Sequence, residues 1–300
     1  MEELVQHVIN GLNLGAIYAL IALGYTMVYG ILQLINFAHS EVYMIGAFAA
    51  YYGASRFGLS ENPGWTSFLL TLAIAAVACS LLGLVIERFA YRPLRNSPKL
   101  NALITAIGVS LFLQFSGQVV FGADPKLFPE VLRDETVFQW GAITIQLFDV
   151  TIFAVALAAM LGLNYFIQKT KMGLALRAVS FSPRSATLMG INVNSVIVIT
   201  FVLGSSLAGV GAVLVGLKYP KIDPLMGLLF GLKAFVAAVL GGIGNLPGAV
   251  LGGLLMGLSE EMVVAYLSST YRDALAFGLL IFILLFKPSG LLGRARVEKV

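Results

Sequence analysis

Apolar stretches of membrane-spanning length recur from one end of this chain to the other. They restrict its fold more than any other feature. The runs are Val8 to about Gly30, Val42–Phe57, Trp65–Ile86, Asn101–Phe121, Phe148–Ile167 and Ser195–Leu217, then Met226–Leu240, Ala249–Tyr266 and Ala274–Phe286. Most approach the ~20 residues that a helix needs to cross ~30 Å of hydrocarbon. They are continuous rather than alternating, so they predict helices and not a barrel, and in lipid every backbone N–H and C=O must be paired internally. The expected fold is all-α: a polytopic transmembrane helical bundle of eight to nine spans, with short or broken helices in the C-terminal third. Only 11% of the 300 residues are charged, against about a quarter in soluble domains. That leaves no room for a sizeable water-soluble domain, and residues 1–300 read as one transmembrane domain.

Charge predicts the orientation. Arg88, Arg92, Arg95 and Lys99 follow the third run, Lys169, Lys171, Arg177 and Arg184 follow the fifth, and Lys287, Arg294, Arg296 and Lys299 form the tail. In the long segment Gly122–Leu147, Asp124, Glu130, Asp134 and Glu135 outnumber Lys126 and Arg133. Cytoplasmic loops carry the excess of Lys and Arg. The three basic segments are therefore expected in the cytoplasm, the acidic loop outside, the N-terminus outside and the C-terminus inside. The same rule accounts for the net charge of +4, so nucleic acid is not implied. Met1-Glu2-Glu3 has no basic region before the first run, which argues against a cleaved signal peptide.

Several chemistries are excluded. The one cysteine, Cys79, has no partner for a disulfide and reads as a small packing residue. Two distant histidines, His7 and His39, make no metal-ligand cluster. There is no G-x-x-x-x-G-K-[ST] loop, no H-E-x-x-H and no G-x-S-x-G, so neither ATP hydrolysis nor a catalytic residue is expected.

Three regions are candidates for function. The loop after the fifth run is long, about 25 residues, and long loops tend to be functional. Within it Ser182 can cap a helix, Pro183 can open it and Gly190 can stop it. Leu188 and Met189 give that helix an apolar patch, which could lie in lipid headgroups or plug into a partner protein. The second region is the polar break Asn36-Phe37-Ala38-His39-Ser40-Glu41, which could line a solute path; Glu41 is expected to cap the second span. The third is Gly241–Gly248, where Gly241, Gly244, Asn245 and Pro247 interrupt the apolar pattern. Irregular backbone at membrane depth is tolerated when buried or lining a water-filled cavity, so the chain either turns there at the cytoplasmic surface or forms part of the path. Glu87 and Arg88 are expected to pair at an interface, and Glu41, Lys233, Glu260 and Glu261 are functional candidates by default. The small-residue spacings Gly244, Gly248, Gly252 and Gly253, Gly257 predict close helix packing within the chain, or a subunit interface.

Asn13-Leu14-Gly15-Ala16-Ile17-Tyr18-Ala19-Leu20 running on to Asn36-Phe37-Ala38-His39, then Glu87-Arg88-Phe89-Ala90-Tyr91-Arg92-Pro93-Leu94, Gly241-Gly242-Ile243-Gly244-Asn245-Leu246-Pro247-Gly248 and the late Gly290-Leu291-Leu292-Gly293 resemble the LivH-type permease subunit of bacterial branched-chain amino-acid ABC importers, over nearly the whole chain. The resemblance implies one half of a pore in the inner membrane that moves branched-chain or other neutral amino acids. A LivM-like paralogue would supply the other half, two cytoplasmic ATPase subunits would bind the ATP, and a periplasmic binding protein would deliver the amino acid. It also implies that the coupling segment, about residues 177–191, docks on an ATPase subunit through Arg177, Ser182, Pro183, Arg184, Leu188, Met189 and Gly190. The chain would need no cofactor of its own. Ser180-Phe181-Ser182 stands where relatives carry acidic residues, so no particular salt bridge is implied there. Relatives commonly have Gly where Ser40 stands. Two alternatives are a sister importer for urea or short amides and an ion-coupled secondary transporter using intramembrane carboxylates.

Overall fold

In a computed structural model, the described residues are 2–95 and 97–293, with Lys99 described by its backbone alone. The tail residues Arg294, Arg296 and Lys299 lie outside the described residues. In chain order the helices are α1 (Glu2–Leu32), α2 (His39–Arg56), α3 (Trp65–Ile86), α4 (Lys99–Phe121), α5 (Leu147–Lys169), α6 (Lys171–Phe181), α7 (Pro183–Leu188), α8 (Val193–Lys218), α9 (Met226–Gly241), α10 (Leu246–Tyr266) and α11 (Arg272–Phe286). Seven described helical segments are long and apolar enough to cross a membrane: α1, α3 with its extension to Leu94, α4, α5, α8, α10, and α11 with the turn before it. The shorter α2 and α9 pack among them. The polytopic all-α bundle expected from the apolar runs is the observed fold.

Burial sorts these helices by position. In α1, nearly every residue from Leu14 to Val28 is buried, as expected of a helix apolar on all sides. It is the central post, packed against α8, α9 and α10. In contrast, the most apolar stretches of α4 and α11 are each only 11% buried, against 89% for α1. Their exposed Leu, Phe and Ile side chains form the outer face of the bundle.

Glycine sets the closeness of the centre. A β-carbon on Gly253 of α10 would meet the Ala19 backbone at 2.5 Å, and one on Gly15 of α1 would meet the Leu254 Cα at 2.7 Å. On its other side α10 meets α9 backbone to backbone through Gly248 and Gly241. The small-residue spacing is thus taken up by packing inside the chain.

The two ends differ. At the end holding the acidic loop, β2 (Thr136–Trp140) and β3 (Ile143–Gln146) form an antiparallel hairpin, and β1 (Lys126–Leu127) pairs with β4 (Lys221–Ile222). The hairpin is tied to the start of α1: Ala142 N–H donates to Glu2 Oε2 (3.0 Å) and Thr144 N–H to Gln6 Oε1 (2.8 Å). At the basic end, α3 runs on through a π-helical turn, Glu87–Tyr91, and a 3-10 turn, Arg92–Leu94. There Glu87 pairs with Arg95 rather than with the expected Arg88, and Arg95 also reaches Asn194 at the start of α8. Arg88 is adjacent in sequence, but Arg95 is the guanidinium that the π turn brings back over the buried carboxylate.

Candidate functional site

The segment between α5 and α8 is helical rather than a plain loop. Thr170 caps α6, its hydroxyl accepting from Gly173 N–H (3.0 Å), and Leu176 and Val179 are buried. Ser180 at the end of α6 donates its hydroxyl to the Gly30 carbonyl in the last turns of α1 (2.7 Å). Ser182 then caps α7, accepting from Ser185 N–H (3.2 Å), and Pro183 is its first residue. Gly190, at φ +81°, closes the turn; Ile191 N–H donates back to the Ala186 carbonyl (3.0 Å), the satisfied end that a left-handed glycine permits. Ala186 is the one fully buried side chain of α7.

Among the described residues, the rest of α7 has no cover from its own chain. Leu188 and Met189 are 83% and 82% exposed, Arg184 is exposed, and Phe181 is 91% exposed just before the cap. Phe181 was missed in the sequence reading; the signal was an aromatic directly before a capping serine. Arg177 is turned the other way and donates to Gln168 Oε1 at the end of α5 (2.7 Å). A six-residue helix is too short to be stable alone, so α7 is a pre-shaped apolar knob held on α6.

The second candidate region lies deep in the bundle. After α1 the chain turns at Gln33, whose φ of +54° is left-handed, and folds back inward. His39, the first residue of α2, packs on Gly24 and edge-on to Tyr25, with ring centroids 4.6 Å apart. Gly24 is eight residues before the end of α1, or about 12 Å by helix rise. Asn36 is buried and accepts from the Tyr91 hydroxyl (3.0 Å). Glu41 does not cap α2 as expected: the cap position is Ala38, with no side-chain bond. Glu41 is fully buried, takes the Ser40 hydroxyl on Oε1 (3.3 Å) and turns Oε2 toward Gly227 in the first turn of α9. A carboxylate there faces the positive end of a helix. The capping expectation was wrong because Glu41 is turned into the bundle against the start of α9, where its Oε2 has no hydrogen-bond partner among the described residues.

The third region is a tight hairpin between α9 and α10. Gly242 and Gly244 have φ of +106° and +92°. Asn245 caps α10, accepting from Gly248 N–H (3.1 Å) and donating to the Leu292 carbonyl (2.6 Å). Gly244 is exposed beside Gly30. Of the two readings of this break, the structure is the turn. It lies at the last turn of α9 and Glu41 at the first, about 20 Å apart along the helix, so the structure holds Glu41 well away from Gly241, Gly244 and Asn245.

Sequence reasoning named Lys233 and Glu260 but not their partners. Glu260 is 1% exposed and pairs with Lys233 Nζ (3.0 Å) and Arg272 Nε (2.9 Å), while the Tyr18 hydroxyl donates to its other oxygen (2.8 Å). Lys233 also reaches Asp273 (2.8 Å). These four charges balance and join α9, α10 and α11 to α1. Asp149, Lys218 and Asn13 were not singled out at all. Asp149 Oδ1 accepts from Lys218 Nζ (2.5 Å) and from Asn13 Nδ2 (3.1 Å).

Two cavities are pertinent. One, about 410 Å³, is an apolar groove on the outer face of α4, between Leu111 and Val120. The other, about 170 Å³, is polar and lies among Asn10, Asn13, Lys218, Tyr219 and Glu261. Neither includes Asn36, His39, Glu41, Gly241, Gly244 or Asn245.

A bundle of apolar helices that buries paired charges and carries an uncovered helical knob at its basic end is the architecture of a polytopic membrane protein. Residues 7–284 match the family described as the permease component of branched-chain amino acid transport systems, and the chain belongs to that family. It is 46% identical over 302 residues to the high-affinity branched-chain amino acid transport system permease protein BraD of Pseudomonas aeruginosa, covering 99% of this chain and 98% of the relative. Identity to the LivH permease protein of Escherichia coli K12 is 45%, covering 99% and 97%. A probable LivH permease protein of Methanocaldococcus jannaschii is 29% identical, covering 91% and 88%.

Proposed function

We propose that this chain is one half of the pore of an ATP-driven importer for branched-chain or other neutral amino acids. It forms one transmembrane domain in the inner membrane and does no chemistry itself. ATP is bound and hydrolysed by two cytoplasmic subunits, one of which docks on α7. A LivM-like paralogue supplies the second half-pore, and a periplasmic binding protein delivers the amino acid. The basic end faces the cytoplasm, which puts the N-terminus outside and the C-terminus inside.

The observation that carries the coupling role is the exposure of Leu188 and Met189 on a short, fully capped helix. Each side chain contributes about 1.5–3 kcal/mol if it becomes fully buried in a partner groove. Arg184 steers toward an acidic rim more than it adds affinity. Motion of α7 has a route into the bundle, because α6 is bonded to the end of α1 through Ser180. The sister-importer and ion-coupled readings have no comparable support: the relatives above are named for branched-chain amino acids, and Glu260 is held by Lys233, Arg272 and Tyr18.

The test is the Leu188→Asp, Met189→Asp double variant. It is expected to insert normally, because no span is touched, yet to lose its ATPase subunit on purification and to lose uptake. Retention of both partner and transport would refute docking through α7.

A further inference from the structure

The polar cavity at the end of the bundle away from α7 contains an arrangement that packing alone does not require. It opens between α1, α8 and α10, and Lys218 of α8 and Glu261 of α10 both line it. The base is anchored: Asp149, 3% exposed, holds Lys218 Nζ and Asn13 Nδ2 on one oxygen and accepts Gln146 N–H on the other (3.1 Å). Asp149 thereby uses both oxygens, while an ammonium has three protons and Lys218 spends one on it. Across the cavity Glu261 Oε1 meets His7 Nδ1 at 3.0 Å, and among the described residues Oε2 receives no protein donor. Asn10 accepts from Gln6 Nε2 on its carbonyl oxygen (3.2 Å), which leaves its amide protons to the cavity. Leu14 and Ile17 provide an apolar floor.

We propose that this cavity binds the head group of a zwitterionic α-amino acid, the carboxylate toward Lys218 and Asn10 and the ammonium toward Glu261. This deepens the importer reading above and rests on it. Fixed donors at one side and a carboxylate oxygen at the other match a ligand that carries both charges on one carbon. The Lys218–Asp149 pair would join α8 to α5 without any acid beside it, and Glu261, whose Oε1 meets His7, leaves an oxygen that a ligand or water must meet if it is to be hydrogen-bonded. The contacts are to the head group, so the site recognises the amino-acid class and not the side chain.

The test uses the complex purified with its co-expressed partners, in nanodiscs, without the binding protein. Binding of radiolabelled L-leucine is followed with glycine, 4-methylpentanoate and isopentylamine as competitors. The expected result is saturable binding that glycine displaces and either single-charge analogue displaces at least tenfold less well. Glu261→Gln, which keeps the shape of the side chain, is expected to weaken leucine binding tenfold or more in a complex that still purifies with its partner subunits. Lys218→Gln provides the second variant. Equal displacement by isopentylamine, unchanged binding in both variants, or no saturable binding would each overturn the site. Wild-type proteoliposomes supplied with the binding protein separate the two ideas. If they import leucine while the site fails, the site alone is wrong; if they import none, the importer reading is wrong as well.

Discussion

Gly253→Val tests the backbone contact at the centre of the bundle. A β-carbon at Gly253 would sit 2.5 Å from the Ala19 nitrogen and Cα and 2.7 Å from its Cβ. Favourable carbon contacts begin near 3.5 Å, so α1 and α10 must separate by about 1 Å. The loss is not confined to the clash, because a gap of 0.5–1 Å forfeits about a quarter to a half of the dispersion attraction along the seam. Overpacking of this kind costs about 1–3 kcal/mol. The control is Gly162→Ala in α5, where an added β-carbon meets nothing within 4 Å; relief of glycine's backbone entropy there is worth about 0.5–1 kcal/mol in the stabilising direction. The assay is thermal unfolding of the detergent-solubilised protein, followed by fluorescence-detected size exclusion. Gly253→Val is expected to melt below wild type and Gly162→Ala at or above it. Equal melting of wild type and Gly253→Val would refute the close seam.

Two further perturbations probe the charges. Glu260→Gln leaves Lys233 buried with only the half-exposed Asp273 as counter-ion, and breaking a buried pair costs about 3–5 kcal/mol. Its melting temperature should fall clearly, and adding Lys233→Met should recover part of the loss; no recovery would mean that the pair is not the reason. For orientation, in a Cys79→Ser background, a membrane-impermeant thiol reagent applied from outside should label Thr136→Cys well and Ser97→Cys poorly, and the reverse pattern would invert the topology.

The architecture was legible where hydropathy speaks for itself. The apolar runs from Trp65, Asn101, Phe148 and Ser195 became α3, α4, α5 and α8 with ends moved by a few residues. Helix α2 began earlier than its run, at His39 rather than Val42, because His39, Ser40 and Glu41 face protein, and polar residues that face protein look like a loop to a pattern built for lipid. The hairpin Thr136–Gln146 was passed over inside an acidic segment, although Val137 and Phe138 before Trp140, the Gly141 turn and the alternation of Ile143 and Ile145 were there to read. Helix α6 was read as loop because its buried positions, Gly173, Leu176 and Val179, are few and spaced among bases. For α7, Ser182, Pro183 and Gly190 are local signals, and its start and stop fell where they indicate. The pairs Lys233–Glu260 and Asp149–Lys218 are separated by 27 and 69 positions, and no local pattern encodes such a meeting. For the same reason the polar cavity was out of reach: residues of three helices, from Asn10 to Glu261, meet there.

Transport itself is the most direct measurement. The chain would be purified with its co-expressed partners and reconstituted in proteoliposomes with the binding protein outside and ATP inside. The account predicts uptake of L-leucine that requires ATP and is abolished by Leu188→Asp, Met189→Asp, with no uptake of urea under the same conditions. Uptake that proceeds without ATP under a sodium or proton gradient, or ATP-driven uptake of urea in place of leucine, would contradict it.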